Sequence, residues 1–176
     1  RVALRGNVIG YQGEELGLLQ DDIPFAQLRD PEAIANWPLT LSRDGVRTPM
    51  PWRDEPGGGF TTGTPWLPIS AQNRARAVAG QEAQADSLLH HTRTMLRLRA
   101  GSAPLRLGDL ANIAVAETVL AFTRSFGGER ITCRFNLGQT TQATPPPEGP
   151  GTVLATINGA EPTGLPPWSA LFWRAA

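Results

Sequence analysis

Between Leu18 and Gly59 the sequence mixes Pro, Asp and Gly with isolated aromatics at Phe25, Trp37 and Trp52, and no helical or strand period runs through it. Such a stretch reads as one long ordered loop with short helical turns, and loops of that length in compact domains are usually functional. Gly57-Gly58-Gly59, followed by Phe60 and Thr61 to Thr64, marks a second tight loop that ends at Trp66-Leu67-Pro68. Upstream, Val8-Ile9-Gly10-Tyr11 lies between Arg5-Gly6-Asn7 and Gly13 and reads as a short buried strand, too short to stand alone.

From about Asn73 to Ala100 the pattern is helical. Leu88, Leu89, Thr92, Met95, Leu96 and Arg99 fall on one apolar stripe with an arginine edge. Asp86-Ser87 is equally compatible with the cap of a second helix after a break near Gly80. Gly101 closes the helix, and Pro104 is expected to prevent its return.

Past Leu105 the texture changes to short alternating runs: Ile113 to Ala116, Val119 to Arg124, Arg130 to Asn136, Val153 to Ile157 and Ala170 to Arg174. Gly127-Gly128 between two such runs signals a hairpin, and Pro145-Pro146-Pro147 through Gly151 an irregular exposed connection. These runs predict a small antiparallel β-sandwich.

Composition narrows the function classes. The chain has 176 residues, with 16 basic and 16 acidic side chains and a formal charge of zero, so neither a nucleic-acid footprint nor attraction to an anionic membrane is indicated. Neutral ligands fit that balance. All the basic residues are Arg, which reflects genomic base composition more readily than mechanism. Cys133 is the single cysteine, which excludes an internal disulfide and a thiolate metal cluster; a free buried thiol is expected. No apolar run approaches the roughly 20 residues of a membrane-spanning helix, and no signal-peptide layout is present. The chain begins at Arg1 and not Met, so its first residues are not read as a natural N-terminus; a cytoplasmic setting is the expectation.

Two longer motifs are far more specific. Tyr11-Gln12-Gly13-Glu14-Glu15-Leu16-Gly17, followed by Arg43-Asp44-Gly45-Val46-Arg47-Thr48-Pro49-Met50-Pro51-Trp52, resembles the α-glucosidases and oligo-1,6-glucosidases of glycoside hydrolase family 13, in the α-amylase superfamily. Arg5-Gly6, Trp66-Leu67-Pro68, and the segment from Gln81 to Arg99 with Ser87-Leu88-Leu89 and Leu96-Arg97-Leu98-Arg99, match in the same order. The resemblance implies an α/β part followed by an all-β part. Residues 1–104 would be the C-terminal part of a (β/α)8 barrel: its last strand at Val8–Tyr11, its last loop to about Pro68, and its closing helix on the Leu88 stripe. Residues 105–176 would be the C-terminal sandwich. In such barrels the active site lies on the loops at the C-terminal ends of the strands, so the loop after Tyr11 is expected to face substrate.

The implied parent is a retaining α-glucosidase, hydrolysing or transferring α-linked glucose from the non-reducing ends of short oligosaccharides. Retaining cleavage needs two carboxyl groups about 5–5.5 Å apart. The family takes its nucleophilic Asp, its acid/base Glu and a supporting Asp from other strands, and none of those motifs occurs here. Glu14 and Glu15 are adjacent, and neighbours on an extended segment point to opposite faces. They are read as a salt bridge to a barrel arginine and an anchor for the loop. The chain alone is therefore expected to be inactive, with residues 1 to about 104 poorly ordered unless the remaining barrel is supplied.

Arg47 is the substrate-binding candidate. In the family this arginine reaches the non-reducing-end glucose, and a rigid guanidinium fork can hold a carboxylate and a sugar hydroxyl together. Its bland alternative is a pin for the loop. Arg43 and Asp44 are read as loop-organising partners. Trp37, Trp52 and Trp66 suit sugar stacking or, more ordinarily, packing, and Trp168 and Trp173 are read as core. His90 and His91 lack metal-ligand spacing; no metal and no cofactor are expected. Asp30-Pro31 continues with Glu32-Ala33 where the nearest subgroup has Tyr-Gly, which leaves linkage preference open. Sucrose and trehalose isomerases and glucosyltransferases share these loop motifs. A reading from another class is a non-catalytic carbohydrate-binding or structural module. The expected partners are an α-glucoside oligosaccharide and the N-terminal part of the barrel.

Overall fold

The computed structural model describes residues 1–176. They form two compact units, one of residues 10–92 and one of residues 1–9 with 93–176.

Residues 10–92 contain no strand. Single 3-10 turns at Glu14–Leu16, Phe25–Gln27, Arg43–Val46 and Pro56–Gly59 alternate with short helices α1 (Pro31–Ala35), α2 (Ala71–Arg74) and α3 (Val78–Glu82). The long loop is thus ordered by turns, as its composition suggests, around a small core of Ile23, Leu28, Ala33 and Leu67. Polar side chains do much of the remaining work. Asn73 bonds the main chain of Leu19, and Gln81 donates from Nε2 to the carbonyls of Leu16 and Arg76, both at 2.9 Å.

The helical stretch is interrupted. Gln81 Oε1 accepts from the Leu89 amide at 3.0 Å, and Ser87 Oγ donates to the Gln81 carbonyl at 2.8 Å. A new helix, α4 (Leu88–Gly101), starts behind Ser87, whose hydroxyl also accepts from the His90 amide at 3.4 Å. Capping by a short polar side chain favours that restart over a continuous helix. On α4, Leu89 and Met95 are buried, while Leu88 and Leu96 stay 45% and 46% exposed, so the predicted stripe is only half covered. Pro104 does not end helical structure: it lies in the first turn of α5 (Ala103–Leu107), where a missing N–H costs nothing.

The Val8–Tyr11 run is corrected by the structure. It is irregular, with Ile9 82% and Tyr11 49% exposed. A lone extended segment has no neighbouring ladder for its amides and carbonyls, so it gains nothing by adopting strand geometry.

The other unit is built on seven strands: β1 (Asp109–Ala116), β2 (Val119–Phe126), β3 (Glu129–Asn136), β4 (Gln142–Ala143), β5 (Gly151–Ile157), β6 (Gly164–Leu165) and β7 (Ala170–Ala175). They make a five-stranded sheet in the order β1-β2-β3-β7-β5 and a two-stranded sheet of β4 and β6, with every pairing antiparallel. All five alternating runs read in the sequence are found in the larger sheet. Gly127 and Gly128, at φ 58° and 88°, turn the β2–β3 hairpin, and a turn with both central residues at positive φ matches the twist of its strands.

Phe122, Ile131, Cys133 and Phe172 pack with Ala3, Met95 and Leu105 to form the core of this unit. Phe135 stacks on Phe122 at 5.6 Å and meets Phe172 edge-on at 5.8 Å. Each such side chain contributes about 1.5–3 kcal/mol by leaving water. Two arginines tie the N-terminal segment in. Arg124, fully buried, donates to the carbonyls of Ala3 and Gly108, and Arg99 donates to those of Val2, Leu4, Gly6 and Leu105. Trp168, expected in the core, is instead 57% exposed at φ 53°. The prolines before it end the regular strand pattern, so alternation gives no guide to which way it faces.

Candidate functional site

The two motifs that stand out in the sequence meet in space. Tyr11, Glu14, Leu18, Arg43, Val46 and Arg47 line one cavity of about 450 Å³ within residues 10–92. Its walls are mostly apolar with a few charged groups, which is the usual make-up of a small-molecule site of that size.

Glu14 and Glu15 do not lie on an extended segment. They open a 3-10 turn bracketed by Gly13 and Gly17. Glu15 bends back so that Oε2 accepts from the Gly13 amide at 2.9 Å, whereas Glu14 faces the cavity. A turn, and not strand alternation, is what separates the two carboxylates.

The opposite wall is the turn at Arg43–Val46. Ser42 caps it, its hydroxyl accepting from the Asp44 amide at 3.0 Å. Asp44 is buried, and one carboxylate oxygen accepts from the amides of Arg29 at 2.6 Å and Asp30 at 2.8 Å. Gly45 lies against the next segment: its carbonyl accepts from the Asp21 amide at 2.9 Å, and a Cβ at Gly45 would stand 2.1 Å from the Asp21 carbonyl oxygen. No larger residue fits there.

Asp30 is the residue that the sequence reading missed. Its buried carboxylate holds Arg43 three ways: Oδ2 accepts from the Arg43 amide at 3.1 Å and from Nε at 2.8 Å, while Oδ1 pairs with Nη2. The Arg43 side chain hydrogen bond outweighs burial and holds the Asp30 carboxyl well below the usual carboxylate range. The Arg43 guanidinium is raised in turn, chiefly by the same bond. In the sequence Asp30-Pro31 stands out only as the point after which this loop departs from the family; in the structure Asp30 also caps α1, accepting from the Glu32 amide at 3.3 Å.

Arg47 follows the turn directly, its amide donating to the Asp44 carbonyl at 2.8 Å. Its half-buried side chain enters the cavity, and its guanidinium forms no hydrogen bond or ion pair within the chain. Of the two arginines lining the cavity it is the one with no partner in the chain, since Arg43 is paired with Asp30 through Nε and Nη2. The tryptophans lie elsewhere: Trp37, Trp52 and Trp66 are 44%, 49% and 56% exposed, and none lines this cavity. Neither histidine lines it; His90 Nε2 lies 3.1 Å from the Glu82 carbonyl oxygen. No group of three or more His, Cys, Asp or Glu is arranged to hold a metal ion, and no helix is long and apolar enough to cross a membrane.

Residues 1–108 match the model of the α-amylase catalytic domain. The chain belongs to the α-amylase family. Residues 106–172 match a second model, a domain of unknown function, DUF3459, that covers the antiparallel sheet of this α-amylase family chain. Among curated relatives, the family member is 41% identical to a probable α-glucosidase of Rhizobium meliloti over 99% of its own length and 33% of the relative's. It is 26% identical to an oligo-1,6-glucosidase of Parageobacillus thermoglucosidasius over 78% of the chain and 28% of that protein. The chain therefore spans about a third of the length of the curated relatives it matches. Among solved structures, an α-glucosyl transfer enzyme superposes with a TM-score of 0.87 at 36% identity, over 99% of this chain and 34% of its own. A trehalulose synthase of Pseudomonas mesoacidophila, at 24% identity and a TM-score of 0.83 over 98% of this chain and 36% of that one, shares the fold. The relatives it matches thus include glucosidases and an α-glucosyl transfer enzyme.

Proposed function

We propose that this chain is the C-terminal portion of a retaining α-glucosidase and supplies the arginine that reads the non-reducing end of an α-glucoside. The observation that carries the reading is Arg47: an uncommitted guanidinium entering a largely apolar cavity from a braced turn. A neutral sugar offers hydroxyl acceptors to such a donor, and a hydrogen bond to a charged group contributes about 1.5–3 kcal/mol. The fork also leaves donors for a carboxylate from the remaining barrel, which would fix both partners at once.

Cleavage itself needs the paired carboxyl groups, one attacking the anomeric carbon and the other protonating the leaving oxygen. In the proposed parent both come from the part of the barrel outside this chain, and Glu14 and Glu15 line or brace the pocket. The proposal also assigns the α-glucoside and the N-terminal barrel as partners of this chain.

The test is hydrolysis of a nitrophenyl α-glucoside by the complete protein and by the isolated chain. Turnover in the first and none in the second is expected; turnover by the isolated chain would overturn the assignment of the carboxyl groups. The likeness to a glucosyl transfer enzyme favours a second reading, in which an acceptor sugar replaces water in the second step. Product analysis with a sugar acceptor distinguishes the two.

A further inference from the structure

Asp30 is a buried carboxylate with one cationic partner, and that partner, Arg43, is itself more than half exposed. In such a pair the desolvated carboxylate takes back part of the attraction, although here the bond from Arg43 outweighs burial. What the arrangement delivers beyond stability is geometry. Asp30 grips the first residue of the Arg43–Val46 turn by its amide and by the Nε–Nη2 edge of its guanidinium. Its own amide donates to the Asp44 carboxylate, which also takes the Arg29 amide. Gly45 is pressed against Asp21 with no room for a side chain. The turn is thereby fixed at its first three residues, and Arg47 hangs from it through the bond to the Asp44 carbonyl.

Nothing within the chain bonds the Arg47 guanidinium. The turn therefore sets where the Arg47 main chain stands at the cavity wall, and a shift of the turn moves the base of the side chain with it. We propose that Asp30 is a positioning residue for Arg47, acting through the Arg43 and Asp44 clasp to aim the guanidinium at the sugar. The proposal rests on the substrate role of Arg47. Misplacing a recognition group by about 1 Å costs up to about a hundredfold in rate.

A double-mutant cycle in the complete protein tests it, reading kcat/KM for a nitrophenyl α-glucoside together with the thermal unfolding midpoint. Asp30→Asn is expected to lower kcat/KM by roughly ten- to a hundredfold in the parent background, and to cause no further loss once Arg47→Ala is present. Should Asp30→Asn fold poorly, Arg43→Lys breaks the same clasp from its exposed side, and the same non-additivity is expected. Equal losses with and without Arg47 would make Asp30 a structural residue and overturn the proposal. So would full activity in both clasp variants while Arg47→Ala is impaired. Full activity of Arg47→Ala alone would instead remove the reading of the site on which the proposal stands, and the proposal with it.

Discussion

Asn73 holds Leu19 by both of its main-chain polar groups, Nδ2 donating to the carbonyl at 2.8 Å and Oδ1 accepting from the amide at 2.9 Å. The two residues are 54 positions apart, and Asn73 is buried. It is this amide, with the Ser70 cap beneath it, that fixes where the long loop leaves the first motif.

Replacing Asn73 by Ala removes both bonds and leaves the Leu19 groups to find water. A loss of about 2 kcal/mol in stability is expected, at roughly 1 kcal/mol per bond. Hydrogen exchange at the Leu19 amide of the complete protein should accelerate accordingly, whereas the neighbouring exposed Gln72→Ala should leave it unchanged. Undiminished protection in Asn73→Ala would show that the loop is held elsewhere.

The Asp30 clasp makes a signed contribution to stability with pH. Its carboxyl titrates below its ordinary value of 3.8 when folded, mainly because of the bond from Arg43. A group whose folded pKa is depressed stabilises the fold fully above its unfolded pKa, and that share is lost as pH falls towards the folded one. The denaturant midpoint of the parent should therefore stay well above that of Asp30→Asn from about pH 7 to about pH 5 and begin to approach it only as pH falls below about 4. A gap that stays constant with pH would exclude the charged clasp.

How much of this was legible in the sequence depended on how local the cause was. The five long strands have an alternating period, and the Gly127-Gly128 turn announces itself. Strands β4 and β6, of two residues each, are too short to carry a period. The break between α3 and α4 was visible only as an alternative, because Gln81 and Ser87 make it through side-chain bonds. Val8–Tyr11 has strand composition, but a strand also requires a neighbour. At the site, Arg43, Asp44 and Arg47 stood out as parts of one motif. Asp30, Asn73 and Gln81 act across 13, 54 and 65 positions and leave no local pattern.

Cys133 gives an independent check on the sheet. It is fully buried, and burial pushes its thiol up to about 12, so that at neutral pH no thiolate is available to react. A thiol reagent at about pH 8 should leave the folded protein unmodified and label it once after unfolding. Fast labelling without denaturant would contradict the packing of β3 against β2 and β7.

Under the proposed function Arg47 enters the cavity to bind substrate and not to hold the loop. Arg47→Lys in the complete protein, assayed on a nitrophenyl α-glucoside, tests it most directly. Lysine keeps the charge but loses the planar fork. A fall in kcat/KM of at least about tenfold, equivalent to about 1.4 kcal/mol, is expected, with an unchanged unfolding midpoint. Unchanged kinetics with a lowered midpoint would contradict it and make Arg47 a structural pin.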